Sequence, residues 1–222
     1  MYLMQRVQNS YKLKLMKLCL RGSFQAITMP FRRLNRRLKL PSELAKRKDL
    51  NIHFGCGEIN DPRFINIDAR PFPHVHLIDS SPMLRTFRDN RVDSIYACHV
   101  LEHFSRTLKP DILRRWFQIL KPGGRLLLSV PDFDKLVKIF QYEWNVESIE
   151  AELMGGQDYT GNFHYSIFNR RHLTDLLARA GFIHIAEWNP STELRWPRDH
   201  SWDNRISLNL SGRKPFDEPI MK

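Results

Sequence analysis

Cysteine is scarce in this chain of 222 residues: there are three, Cys19, Cys56 and Cys98, odd in number and scattered. Such usage argues against a disulfide-stapled secreted scaffold and for a reducing compartment, which makes a cytoplasmic protein the expectation. Long apolar runs are missing as well, and none approaches the roughly 18 residues of a membrane span. Internal repeats and low-complexity tracts are absent. Acidic residues are missing from the first stretch of chain, where the earliest is Glu43. Residues 1–50 hold 13 Lys/Arg against two Asp/Glu, a surplus equal to the whole net charge of +11. The remainder is therefore electrically balanced. With 42% apolar residues it has enough to bury a core. The charge divides the chain into a basic amphipathic extension, 1–48, and a neutral body, 49–222.

The extension interleaves Lys12, Lys14, Lys17 and Arg21 with Tyr11, Leu15 and Leu18, which share one helical face. Pro30 and Pro41 divide it, so helices are expected near 4–21 and 31–39. A basic amphipathic helix can lie on an anionic membrane surface, contact RNA phosphates, act as a transit peptide, or cap the body with its charges solvated. Peripheral membrane contact through residues 1–40 is expected ahead of nucleic acid. Charges interrupt every candidate secretory core.

From residue 49 the pattern changes. Short apolar runs at 50–54, 64–68, 75–79, 94–100 and 125–130 are bounded by turn residues and read as buried strands. Helical periodicity appears at 111–120, 132–142 and 169–180, with Lys121-Pro122-Gly123-Gly124 as a stop after the first. Final strands are expected at 182–188 and 205–211. Alternating strands and helices predict an α/β fold, three layers around a mostly parallel sheet. The first strand runs lie closer together than the roughly dozen residues of a parallel crossover. Either the first crossover helix is shortened, which is the expectation taken for the fold, or one of these strands is misassigned.

Gly55-Cys56-Gly57 follows the first strand, Asp68 closes the second and Asp79 the third. Glycines there allow a tight turn and close approach of a ligand to the backbone. A carboxylate at the second strand end can accept two hydrogen bonds from ribose hydroxyls, and Asp79 could face an adenine amino group. Three successive strand ends of this kind read as a nucleoside site.

The segments NIHFGCGEIN (51–60), FINIDARP (64–71), DSIYACHVLEHF (93–104) and LKPGGRLLLSVPDF (120–133) resemble class I S-adenosylmethionine-dependent methyltransferases. The likeness extends to small methyltransferase-domain proteins found with polysaccharide-synthesis genes. It runs from about residue 49 to 187, and less firmly through 206–215. The resemblance implies S-adenosyl-L-methionine as cofactor and a Rossmann-like methyltransferase fold. Gly55, Cys56 and Gly57 would wrap the methionine portion, Asp68 would hold the ribose and Asp79 the adenine. Cys98, His99 and Val100 would line the face near the sulfonium. His53 stands where many members have an acidic residue, and Ile59 where many have a third glycine.

Methyl transfer from a sulfonium is an in-line displacement, and a hydroxyl acceptor needs a base. His99, His103 and His164 are the candidates, and His103 and His164 are favoured because both are expected at the strand-end rim. His99, Glu102 and His103 form an H-x-x-E-H cluster resembling the E-x-x-E-H element with which some methyltransferases of quinone rings and small-RNA ends hold a divalent metal. His164 could complete such a set, suited to Zn, Mn or Fe, but many members carry leucine-Glu-His at that place without metal, so no metal ligand is assigned. Aromatics crowd 142–165 and 188–202, and with nearby Asp, Asn and Arg they suit a sugar ring. The expected reaction is O-methylation of a sugar, glycan intermediate or small polar metabolite. A nicotinamide oxidoreductase would require a third glycine after Gly57, which is missing. A degenerate, non-catalytic binding protein tethered by its basic arm is the other alternative.

Overall fold

A computed structural model of the chain describes residues 42–193 and 199–216. Residues 1–41 of the basic extension, with its two expected helices, and Trp196 among the aromatics lie outside the described residues. No described helix is long and apolar enough to cross a membrane.

The described residues begin with a short helix α1 (Ser42–Ala45), followed by strands β1 (Asn51–Phe54), β2 (Ile65–Asp68), β3 (Leu77–Ile78) and β4 (Val92–Cys98). After a 3-10 turn at Leu101–His103 come α2 (Lys109–Ile119), β5 (Leu120–Pro131), α3 (Phe133–Glu143), α4 (Glu147–Met154) and α5 (Arg170–Arg179). Then follow β6 (Ile183–Glu187), α6 (Pro190–Glu193), a second 3-10 turn at His200–Trp202 and β7 (Ser207–Arg213). One seven-stranded sheet runs in the order β3-β2-β1-β4-β5-β7-β6. Strands β1 to β5 pair in parallel, and β7 lies antiparallel between β5 and β6. The expected Rossmann-like sheet is present, and its order reverses between β1 and β4, where ligands bind in such folds.

Side-chain alternation explains how the sheet is covered. Ile95, Ala97, Leu126 and Leu128 face the main core. Tyr96 and Leu127 point the other way and pack with Phe64 and Trp188. On the main face, α2 buries Ile112, Leu113, Trp116 and Ile119, and α5 buries Leu173 and Leu177. The Asn169 side chain caps α5 by accepting the His172 N–H at 3.0 Å.

The crossovers differ from expectation. No helix occurs in the connections 55–64, 69–76 or 79–91. The shortening expected of one crossover thus extends to three. The last of these connections is held down by α2 instead: Arg115 donates to the carbonyls of Met83 and Phe87 at 3.1 and 2.6 Å, and Trp116 Nε1 to that of Pro82 at 2.7 Å. Strand β3 has two residues where five were expected, and β5 starts at Leu120, so Lys121–Gly124 form its first part rather than a loop. Helix α4 was not anticipated. Its apolar positions are sparse, and only Ile149 is buried.

Candidate active site

The carboxyl ends of β1 and β4 open into a cavity of about 720 Å³, within the roughly 300–1,000 Å³ range of small-molecule sites. Gly55, Cys56, Gly57, His99, His103 and His164 all line it. Asp68 and Asp79 are not among the lining residues.

The glycine turn is fixed by its neighbours. The N–H groups of Gly55 and Cys56 both donate to the Ile67 carbonyl, at 2.8 and 3.1 Å. Gly55 and Gly57 have φ of 71° and 55°, a left-handed conformation that favours glycine. Gly57 N–H then donates to Asp68 Oδ2 at 2.7 Å. Asp68 Oδ1 accepts from the Arg70 N–H at 2.8 Å, and the Arg70 Nε lies 3.3 Å away. The Arg70 guanidinium in turn stacks against Phe72 and Tyr159, 4.8 and 4.7 Å from their ring centres. Asp68 therefore meets the glycine turn as expected, and the Arg70 paired with it lines the cavity. Asp79 is used locally: its Oδ1 accepts from Ser81 N–H at 2.8 Å.

The other side carries the histidines. His99 follows β4 with φ of 49°. Its Nε2 lies 2.9 Å from Ser207 Oγ, and its ring stacks on His200 at 4.9 Å. His103 Nδ1 faces the Phe163 carbonyl at 3.1 Å, and His164 Nδ1 faces that of Glu152 at 2.9 Å. The two rings meet edge to face at 4.8 Å. Behind them Glu102 is fully buried, its carboxylate 3.7 Å from His99 Nδ1 and 4.0 Å from His164 Nε2. One ligand atom from each of Glu102, His103 and His164 lies within 4.8 Å of the other two.

Sequence reasoning missed several residues of this cavity. Asp199 lines it beside His53, its carboxylate held by the Tyr96 hydroxyl and by Ser201 N–H and Oγ–H. Glu152 arrives on α4, and His200 on the second 3-10 turn. The only advance signal for Asp199 and His200 was the length of the segment after Trp188. Of the aromatics expected near an acceptor, Tyr159 lines the cavity, Trp188 is buried in the core, and Tyr142, Trp144 and Tyr165 are exposed.

Residues 30–187 match a protein family described as a methyltransferase domain. The chain belongs to this family. No curated protein matches the sequence. Among solved structures it is similar to a SAM-dependent methyltransferase from Archaeoglobus fulgidus, at 13% identity, covering 90% of this chain and 98% of that one with a TM-score of 0.51. It is also similar to a SAM-dependent methyltransferase from Thermotoga maritima, at 18% identity, 86% and 98% coverage and a TM-score of 0.49. These likenesses concern the fold.

Burial sets the protonation of groups in and around the methyltransferase cavity. It holds the His53 and His164 imidazoles down to about 4 and His99 to about 3, with His76 and His103 lowered in the same sense. It pushes Glu102 up to about 8, and raises Asp132 and Glu152. An imidazole lowered on folding loses stability as pH falls from 6.5 toward its folded value. A carboxyl raised on folding loses stability as pH rises from its unfolded value to its folded one. Five imidazoles oppose three carboxyls in the acid window. The urea midpoint is therefore expected to fall as pH is lowered from about 6.5 to about 5. A midpoint that rises over that range would contradict the buried, neutral state of these histidines.

Proposed function

We propose that this methyltransferase domain uses S-adenosyl-L-methionine to methylate a hydroxyl oxygen of a sugar, a glycan intermediate or another small polar metabolite. The observation that carries the reading is a single cavity in which the Gly55–Gly57 turn, latched to Asp68, faces the histidines that follow β4.

The residues suit this cofactor. Glu58, Glu152, Asp158, Asp199 and Asp203 line the cavity against a single arginine, Arg70, so its charge favours a ligand with a sulfonium and an ammonium. Bound there, the cofactor supplies an electrophilic methyl group on a good leaving group. The chain's own task is alignment and exclusion of water. The backbone at Gly55–Gly57 gives close approach to the methionine portion, and Asp68 takes the ribose hydroxyls once Arg70 swings aside. Asp199 supplies the carboxylate for the ammonium group, in place of the acidic residue that His53 replaces. His103 and His164 stand where the acceptor's proton leaves, neutral at pH 7 with a lone pair each. Pairs of aromatic and polar side chains such as Tyr159 and Asn162 on the same wall suit a sugar ring. Outside the described residues, the basic stretch 1–40 is assigned to an anionic membrane surface, bringing the domain to lipid-linked acceptors.

Calorimetry tests the reading. The full chain is expected to bind S-adenosylmethionine and not NADH, and a radiolabelled methyl-transfer screen against sugar nucleotides and lipid-linked saccharides would then identify the acceptor. Absence of heat with S-adenosylmethionine under native conditions would sink the assignment.

A further inference from the structure

We propose that Glu102, His103 and His164, with His99 beside them, form a binding site for one divalent transition-metal ion in the wall of this cavity.

The hydrogen bonds fix where each imidazole proton sits. Carbonyl oxygens only accept, so His103 and His164 carry their protons on Nδ1, toward Phe163 and Glu152. Each therefore keeps its lone pair on Nε2. The Ser207 hydroxyl gives its proton to the His200 carbonyl at 2.7 Å, and so accepts from His99 Nε2–H. The His99 lone pair is thus on Nδ1, the atom 3.7 Å from Glu102 Oε1. His164 Nε2, also a lone pair, lies 4.0 Å from the same oxygen. Three imidazoles turn their donors away from the carboxylate beside them, the arrangement by which second-sphere carbonyls orient metal-bound histidine.

Glu102 itself has no exposed surface, and among the described residues neither carboxylate oxygen has a hydrogen-bond partner. A buried group left in this state costs about 1–3 kcal/mol, more if charged. The cluster thus consists of acceptors alone, and a cation placed among them satisfies all of them together. Two ligands on one transition metal, each about 2.1 Å from it, stand at most roughly 4.2 Å apart. The separations of 3.7 and 4.0 Å already fit, and the 4.8 Å limit of the triad needs a closure of about half an ångström. Imidazole with one carboxylate selects zinc, manganese or iron rather than magnesium or calcium.

The alternative occupant is a proton on Glu102, which burial favours in the metal-free protein. The ion would serve the reaction by lowering the proton affinity of an acceptor hydroxyl, and when bound it takes over the part that the free His103 and His164 imidazoles, both made weaker bases by burial, play in its absence. That role rests on the methyl-transfer reading; the binding site does not.

The test uses the full chain, stripped with chelator and titrated with Co²⁺ while its visible absorption is followed, with Zn²⁺ competition and Mg²⁺ as comparison. One equivalent of Co²⁺ is expected to bind, displaced by Zn²⁺ and not by Mg²⁺. Glu102→Gln, which keeps the shape, and His164→Ala at the cavity wall are each expected to weaken binding by about 100-fold or more. His184→Ala, on exposed β6, is expected to change nothing. Absence of stoichiometric binding, affinity unchanged from the unaltered chain in both site variants, or equal loss in His184→Ala overturns the site. Should Glu102→Gln fail to fold, His164→Ala decides. Calorimetry with S-adenosylmethionine on the same samples keeps the two readings apart. Cofactor binding without cobalt overturns the metal alone, and cobalt binding without cofactor overturns methyl transfer alone.

Discussion

Asp68→Ala is expected to raise the dissociation constant for S-adenosylmethionine by about 100-fold or more, because the proposed ribose assignment gives it two charge-assisted hydrogen bonds of about 1.5–3 kcal/mol each. The ribose contacts are only part of the loss. Asp68 Oδ2 is also the acceptor for Gly57 N–H at 2.7 Å, so its removal frees the turn that shapes the methionine end of the cavity. Asp68→Asn keeps one acceptor oxygen and is expected to lose about tenfold, the equivalent of one such bond. Asp79→Ala is the internal comparison. Its Oδ1 serves Ser81 N–H, and unlike Asp68 it is not bonded to the glycine turn, so its effect on affinity is expected to be much smaller. Calorimetry with circular dichroism on each variant checks both affinity and fold. Unchanged affinity in folded Asp68→Ala would remove the ribose assignment.

Gly55→Ala is expected to abolish measurable cofactor binding and to destabilise the domain by about 2–4 kcal/mol. Two costs combine at this position. An alanine at φ 71° occupies a conformation that L-residues disfavour by about 1–2 kcal/mol. Its Cβ would also lie 2.3 Å from Val100 Cγ2, so β1 and the chain after β4 would have to part. That separation displaces the two strand ends between which the cavity opens. Gly57→Ala makes an informative contrast, since its Cβ would meet only the far end of Arg70 at 3.3 Å. Chemical denaturation gives the stability change, and calorimetry gives the binding. A Gly55→Ala protein of native stability with intact affinity would show that the turn has room the packing denies.

Much of this was legible in the sequence because apolar runs bounded by Gly, Asp and Pro mark buried parallel strands. The glycine turn and Asp68 were found together for that reason, and their contact is a consequence of β1 pairing with β2 in the register Ile52 to Ile65. The reach of Asp79 was not legible. Whether a strand-end carboxylate closes its own turn depends on loop geometry, and here Ser81 N–H takes Oδ1 of Asp79. Arg70 was missed because nothing in a linear pattern says that a guanidinium will lie between two rings, Phe72 and Tyr159, far apart in sequence. Asp199 and His200 were missed because they reach the site through β7. Helix α4, which brings Glu152 to the cavity and holds His164, lacks the apolar stripe by which helices are recognised. The convergence of His164 on Glu102 required the 3-10 turn at Leu101–His103 and the loop after α4 to be tied together, as they are by Tyr165 N–H donating to the Glu102 carbonyl at 2.9 Å.

The antiparallel strand between β5 and β6 has a bearing on how this protein is made. Synthesis proceeds from the amino end, so both flanking strands leave the ribosome before the one that must lie between them. Ser207, at the start of that strand, is also what orients His99. A nascent chain lacking it has an open sheet edge and a histidine free to turn. The hydrogen bond that orients His99 thus arrives with the same late segment that completes the sheet, and an interrupted translation product has neither.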